Sequence, residues 1–455
     1  MRNKKETEVK VIGMKYPNIS LGEDENGIIV EYKGGLLGQI NKVKITRNRN
    51  DYKKGKFIEL IENSPIENSR NHCPVADICG GCAYQKIPYE TELMLKVDMI
   101  KRLFDDNGVP FDGEISINRS PVTTGFRNKM EYTFGDAYKG GELILGLHRQ
   151  NRFYEIVDTK DCNVIDEDFN IIRQAVQNYF REKNASFYHK RTHEGLLRHF
   201  VIRKAHRSGE IMVILVTSSD DSLDDMRKKL FVNFLQGLEL TAKIVSIYHV
   251  INDSPADAVI PEKVELLFGK EYITEEMLSL DFRISPFSFF QPNVFTAEKL
   301  YQKAFEFADI NKSVNVLDLY SGTGTITQVM AKVANKATGI EIVEEAVEKA
   351  RENAELNEID NISFLCGDVL TEIEKIKGEY EVVILDPPRA GIMPEALGKI
   401  LDLNPDKFVY ISCNPKTQVE NFKDFINAGY RIKKYEVFDQ FPNSRHVESI
   451  ALLEK

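Results

Sequence analysis

At 455 residues the chain exceeds one ordinary hydrophobic core, and about three domains are expected. Hydrophobic residues make up 42% and charged residues 29%, and no apolar run approaches the ~18 residues of a membrane span, which excludes a membrane-embedded class and predicts a soluble protein. The net charge of -10 argues against an evenly basic nucleic-acid binder, so local charge decides.

The chain opens on MRNKKETEVKVIG, charged and then alternating, without the apolar segment and small-residue cleavage site of a secretory signal; a cytoplasmic location is expected. Residues 9–62 then read as short β segments (VKVIGM, GIIVEY, GQINKVKITR, KFIELIE) punctuated by Gly, Asn and Asp, which predicts a small β-barrel. Between Gln39 and Lys56 stand seven basic residues (Lys42, Lys44, Arg47, Arg49, Lys53, Lys54, Lys56) against Asp51 alone, a stripe suited to phosphate. Tyr89–Phe104 carries apolar residues near helical spacing and predicts a connecting helix. From Arg127 to Ile284 strand-like runs dominate (KMEYTFG, GELILGLH, RFYEIVD, LLRHFVIRKA, EIMVILVTS, AKIVSIYHVI), the fourth and fifth joined by the turn HRSG. A second basic cluster spans His189–Arg207: Lys190, Arg191, Arg198, Arg203, Lys204 and Arg207 against Glu194, with four of the eight histidines.

After Pro286 strands and amphipathic helices alternate, which predicts a doubly wound α/β domain. Five apolar runs end in residues with chemistry: VNVLDLYSGTG, ATGIEI, ISFLCGD, EVVILDPPR and KFVYISCNP. In an open parallel sheet ligands bind beyond the carboxyl ends of the strands, so Asp318–Gly324, Glu341, Asp368, Asp386 and Cys413 are expected around one crevice. Gly322 and Gly324 let a turn approach a ligand closely, while Thr327 fills the third position of a GxGxxG pattern, which disfavours a dinucleotide. Glu341 lies 23 positions after Asp318, where an acid can bind ribose hydroxyls. The order DxYxGxG, acid, GD, DPP looks like an S-adenosylmethionine-binding domain, with a generic acidic-ended α/β domain as the bland alternative.

Cys413 follows FVYIS at a strand end and reads as a nucleophile, whereas Cys366 reads as an ordinary buried thiol. Glu448, in RHVESIALLEK, is the candidate base: the loop FPNSRH reverses the chain, so SIALLEK runs antiparallel and starts beside Cys413. A surface carboxylate at a strand start is the competing reading. Cys73, Cys79 and Cys82 form C-x5-C-x2-C, and Cys162 stands apart. Four thiols in a reducing compartment suggest metal, and spacing alone does not choose between zinc and an iron–sulfur cluster.

In SCNP, DPPR, FFQPN and HVES the sequence resembles the RNA uracil-5 methyltransferases, and the three-plus-one cysteines resemble their iron–sulfur branch, which acts on 23S ribosomal RNA. The resemblance implies a class I Rossmann-like methyltransferase domain at 85–116 and 286–455, a TRAM-like (OB-like) RNA-binding barrel at 1–62, and a central mainly-β domain at 63–84 and 117–285. It implies a [4Fe–4S] cluster on Cys73, Cys79, Cys82 and Cys162, S-adenosylmethionine contacts from Gln291, Tyr320, Glu341, Asp368 and Asp386, Cys413 as nucleophile and Glu448 as proton acceptor. The expected partner is RNA, with the target uridine extruded into a pocket walled by Phe287, Phe289 and Phe290, and the protein is expected to act as a monomer. Transfer RNA is the runner-up substrate, on the ground that its branch lacks the barrel and the cluster. An amino-group methyltransferase marked by DPPR, needing no covalent step, and an RNA-binding redox sensor are the competing readings.

Overall fold

The computed structural model describes residues 6–48, 52–68, 73–219, 223–376 and 380–455. The N-terminal strands Glu6–Lys15, Ile19–Asp24, Ile29–Lys33, Ile40–Asn48 and Lys53–Glu62 close into a five-stranded barrel around Val9, Val11, Val30, Tyr32 and Val43. The strand Ile19–Asp24 escaped the sequence reading because ISLGED is short, polar and interrupted by glycine; Gly22 is needed there, since a Cβ would lie 2.7 Å from the Val9 side chain. Of the basic stripe, Lys42 pairs with Glu6 and Glu59 and Lys53 with Asp24, while Lys44, Arg47 and Lys56 make no ion pair among the described residues. Arg49 and Asp51 lie outside the described residues.

The central region is a seven-stranded sheet in the order Lys263–Gly269, Lys243–Ile251, Glu210–Thr217, Leu197–Ala205, Lys129–Gly135, Ile144–Arg149, Arg152–Val157. It is less purely β than the sequence suggests: helices Glu167–Glu182 and Asp225–Gln236 cover one face. The first is amphipathic, with Phe169, Ile172, Val176 and Phe180 inward and Asp166 capping its N-terminus through the Asp168 amide. The other face packs Val201, Met212, Ile214 and Val250 against the C-terminal domain.

That domain is an eight-stranded sheet ordered Ile362–Cys366, Lys336–Glu341, Asn315–Leu319, Val382–Leu385, Lys407–Ser412, Glu448–Glu454, Arg431–Phe438, Ser116–Asn118. The first five are parallel, Glu448–Glu454 runs antiparallel, and Ser116–Asn118 adds the last strand parallel to Arg431–Phe438. The order reverses between Asn315–Leu319 and Val382–Leu385, the switch point where such sheets open a crevice. Helix Tyr89–Asn107 packs on helix Pro415–Asn427 through Phe104 and Phe422. Met14, Tyr16 and Leu36 of the barrel join the same core, which seats the barrel on the catalytic layer. No helix of the described residues is long and apolar enough to cross a membrane.

Candidate active site

The crevice starts at the turn after Asn315–Leu319. Tyr320 takes a left-handed backbone (φ 67°), followed by Gly322 (φ 55°) and Gly324 (φ 74°). A Cβ on Gly324 would strike Phe364 at 2.6 Å, whereas one on Gly322 would point into open space, so Gly324 is required by packing and Gly322 leaves a cradle. Glu341 fixes the turn: one carboxylate oxygen accepts from the Gly322 amide at 2.9 Å and the other from Val343 at 2.9 Å. Asp318 accepts from the Thr327 hydroxyl beneath the same turn, which explains threonine at that position. Asp318 is wholly buried, its Oδ1 has no partner, and burial pushes its carboxyl up to about 7, helped by the nearby Asp386. Asp368 caps the next helix through Leu370, and its charge reaches the half-buried Tyr320.

Gln291 is buried on the opposite wall, bonded to Gln440 and Tyr301, and its carbonyl accepts from Asn128 at 2.8 Å. Asn293 caps helix Val294–Ala308 through Thr296, which holds the FFQPN turn. Of the three phenylalanines before Gln291, Phe290 is core and Phe287 leans on it, while Phe289 is 66% exposed and alone is free to meet a ligand. Buried polar atoms of this region without a partner include Ser321 Oγ and Gln440 Oε1. With Asp318, Glu341, Asp386 and the open Gly322 cradle they fit a small cationic ligand bearing hydroxyls.

Cys413, Glu448, Asp386 and Arg389 meet at the far end of the crevice. Burial, then Glu448 and Asp386, push the Cys413 thiol up to about 12, opposed by the Arg389 guanidinium, which donates to its sulfur. Glu448 is 3% exposed; burial and the Asp386 charge hold its carboxyl well above the usual range, again opposed by Arg389. Desolvation raises Asp386 to about 7. The pocket thus gathers three acidic groups around one fixed cation, and burial shifts each of the three toward its uncharged form.

Two cations here were not singled out from sequence. Arg389 completes DPPR, and Arg127 stands between it and the cysteines, bonded to the Lys129 carbonyl. Tyr16 of the barrel also comes within electrostatic range of Glu448, Cys413 and Arg389. Nothing local in KYPN marks it, because only barrel docking brings it there.

Cys73, Cys79, Cys82 and Cys162 line one cavity of about 230 Å³ together with Arg127. The charges of Cys162, Cys79 and Cys73 all act on Cys82. Gln85 braces the group: its carbonyl oxygen accepts from the Cys73 amide at 3.3 Å, and its amide nitrogen donates to Asn163 at 2.8 Å. Among the described residues no group of three or more His, Cys, Asp or Glu is placed to hold a metal ion, so the expected iron–sulfur site on these four cysteines is not supported by the structure.

The second basic cluster is not a phosphate-binding patch as a whole. Leu197–Ala205 is buried along its entire length: Arg198 is spent on the carbonyls of Asn252, Ser254 and Ala256, Arg203 on those of Ser285 and Pro286, and Lys204 on Asp166 and Asp168.

Residues 150–455 match the family model described as tRNA (Uracil-5-)-methyltransferase. An uncharacterised RNA methyltransferase of Caldanaerobacter subterraneus subsp. tengcongensis is 42% identical over 449 residues, 98% of each chain, and one of Clostridium tetani is 42% identical over 457 residues, covering 100% of this chain and 99% of its own. The solved Pyrococcus abyssi tRNA (uracil-54, C5)-methyltransferase in complex with S-adenosyl-L-homocysteine is 26% identical, with a TM-score of 0.74, over 98% of this chain and 100% of that one. The chain therefore belongs to the tRNA (uracil-5-)-methyltransferase family, on the class I methyltransferase fold with a small closed β-barrel.

Proposed function

We propose that the protein methylates carbon 5 of a uridine in 23S ribosomal RNA in the cytoplasm, with Cys413 as covalent nucleophile and Glu448 as the base that completes the reaction. The observation that carries this reading is the meeting of Cys413 and Glu448 on neighbouring antiparallel strands beside Asp386 and Arg389. S-adenosylmethionine supplies an electrophilic methyl group when bound; Gln291, Tyr320, Gly322, Gly324, Glu341, Asp368 and Asp386 would hold it. Uracil C5 is too electron-poor to take that methyl unaided. The Cys413 thiol loses its S–H proton to solvent; the thiolate adds to C6, forming an S–C bond and moving the C5–C6 π electrons to C5, which takes the methyl from the sulfonium as the neutral thioether departs. Glu448, in its ionised form, accepts the C5 proton, and the released C–H electrons re-form the ring double bond as the S–C bond breaks. An amino-group acceptor would need none of this machinery.

The reading of the three-plus-one cysteine pattern as a [4Fe–4S] group rests on the four thiols lining one cavity. Cys73, Cys79, Cys82 and Cys162 would hold it.

A second reading, transfer RNA, is favoured by one observation: the P. abyssi tRNA enzyme matches 98% of this chain, so barrel and central sheet do not separate the two substrates. Mapping 5-methyluridine in ribosomal and transfer RNA from a deletion strain tests both. Loss from 23S RNA is the expected result; loss confined to transfer RNA would install the second reading, and no loss from either would reject both.

A further inference from the structure

Strands Ile144–Arg149 and Arg152–Val157 form the edge hairpin of the central sheet, turning at Asn151 (φ 62°). This hairpin raises two adjacent aromatics into solvent: Phe153 is 51% and Tyr154 56% exposed, their rings edge to face at 5.6 Å. Solvated edge strands ordinarily carry charge there, so the paired rings stand out.

The facing segment around residues 188–193 covers them with cations. Lys190 Nζ lies 4.0 Å from the Phe153 ring centre, and the Arg191 guanidinium 4.9 Å from that of Tyr154. His148 stacks on Phe153 at 4.9 Å with rings 4° from parallel, and its Nδ1 is 2.7 Å from the Phe153 carbonyl oxygen. Asp257 ties this side down through Lys190 at 2.6 Å and His148 at 2.9 Å, so both side chains are held in place. Arg191 is exposed and makes no ion pair among the described residues. The rigid half of the patch is thus Phe153–His148–Lys190–Asp257, and the available half is Tyr154 with Arg191.

The patch connects to the crevice through one strand. Asn128, which holds the Gln291 carbonyl, directly precedes Lys129–Gly135; Thr133, five residues along, lies 3.4 Å from His148 Nε2. At roughly 3.3 Å per residue the patch stands about 17 Å from the cofactor wall.

We infer that Tyr154 and Arg191, on the Phe153 base, form a stacking platform for an unpaired base of the RNA strand whose target uridine occupies the crevice. An aromatic face beside an uncompensated guanidinium matches the two halves of a nucleotide, base and phosphate, and tolerates any base because each has a π face. A groove for an apolar peptide would not need the free cation. The inference rests on the reading of the chain as an RNA methyltransferase, and it adds a contact outside the reacting pocket.

The test uses the full-length protein purified without air and a fluorescein-labelled single-stranded oligouridylate of about fifteen nucleotides, long enough to span a typical single-strand site. The Tyr154→Ala, Arg191→Ala double variant should weaken binding about tenfold, and Tyr154→Trp alone should keep wild-type affinity. S-adenosylhomocysteine affinity should not change. With RNA from a deletion strain as methyl acceptor, the double variant should raise KM with kcat retained. Both substituted side chains are exposed, so equal melting temperatures are expected and serve as the folding control. Equal oligouridylate affinity in wild type and double variant would overturn the platform and leave the face to a protein partner. A wild type that binds the strand but forms no 5-methyluridine would instead reject the catalytic reading, so the two failures are distinct.

Discussion

Ser449 Oγ donates to the Ser412 carbonyl at 3.2 Å across the antiparallel pair Lys407–Ser412 and Glu448–Glu454. This register puts the residue after one serine, Cys413, and the residue before the other, Glu448, at the same sheet edge. A slip of one residue would turn Glu448 to the other face. Cys413→Ala should therefore lower kcat by on the order of 10⁴-fold or more while S-adenosylhomocysteine still binds. Glu448→Gln should permit attack and methyl transfer but stall before elimination, leaving RNA attached through Cys413 as a shifted band on a denaturing gel. Fluorine at C5 cannot leave as a cation, so 5-fluorouridine RNA should trap the wild type likewise. A Cys413→Ala protein methylating at the wild-type rate would reject the covalent reading.

Burial first, then Glu448 and Asp386, push the Cys413 thiol up to about 12. A sulfonium near Asp386 adds a positive charge, and one charge at ~6 Å in an effective dielectric of ~20 is worth about 3 kcal/mol. Alkylation of Cys413 by iodoacetamide should reach its half-maximal rate about 1–2 pH units lower with S-adenosylmethionine than with S-adenosylhomocysteine. The two ligands differ by the charge at sulfur and one methyl, so shielding largely cancels. Superimposable profiles would show that the cofactor does not help form the thiolate.

Asp318 is buried with one oxygen unpaired, and its folded pKa of about 7 lies far above an unfolded carboxyl. The folded state binds its proton more tightly, so the stability contributed by the protonated form is full below about pH 4 and is lost as pH rises toward 7. Asp318→Asn keeps an acceptor for Thr327 and carries no charge. It should raise stability at pH 8 by about 2–4 kcal/mol, with a smaller gain at pH 5. A gain independent of pH in thermal melts would show that Asp318 is not held neutral by burial.

The crevice was legible because its chemistry sits at strand ends, where apolar runs stop abruptly: LDLYSGTG, LDPPR and ISCNP each announce a turn. Arg127, Tyr16 and Arg389 were not singled out because their placement depends on contacts between segments far apart in sequence. The cluster His189–Arg207 misled for the opposite reason. A charge count assumes solvent, yet Arg198, Arg203 and Lys204 lie in a strand buried on both faces, where carbonyls and aspartates absorb their charge. Its two ends, with Arg191 at one and Arg207 at the other, remain exposed. Helix Glu167–Glu182 was legible and passed over: Asp166 and the spacing of Phe169, Ile172, Val176 and Phe180 are a cap and an apolar stripe.

The proposed [4Fe–4S] group in the cysteine cavity has a direct test. Protein purified without air should hold about four irons and four sulfides per chain, and Cys162→Ser should lower that content although it lies far in sequence from the other three. Stoichiometric zinc without iron in the same preparation would reject the cluster.

Lys96, on helix Tyr89–Asn107, is wholly buried between Glu92 at 2.6 Å and Asp439 at 2.5 Å. Burial first, then the Asp439 charge, raise Glu92 to about 7 even with Lys96 beside it. The same Glu92 oxygen accepts from the Asn443 amide at 2.8 Å, and the Asn443 carbonyl accepts from Ala83 and Tyr84, directly after Cys82. The loop leading to Glu448 is therefore clamped between the helix and the cysteine segment. Lys96→Met leaves two carboxylates without their cation and should destabilise the protein by about 3–5 kcal/mol at pH 8. Because Glu92 protonates as pH falls through about 7, the deficit should shrink at pH 5. The double variant Lys96→Met, Glu92→Gln should recover part of the loss at pH 8. If the clamp positions Glu448, the single variant should lose kcat more than KM, and the double variant should regain kcat along with stability. Equal pH profiles for wild type and Lys96→Met would show that the buried charges are balanced elsewhere.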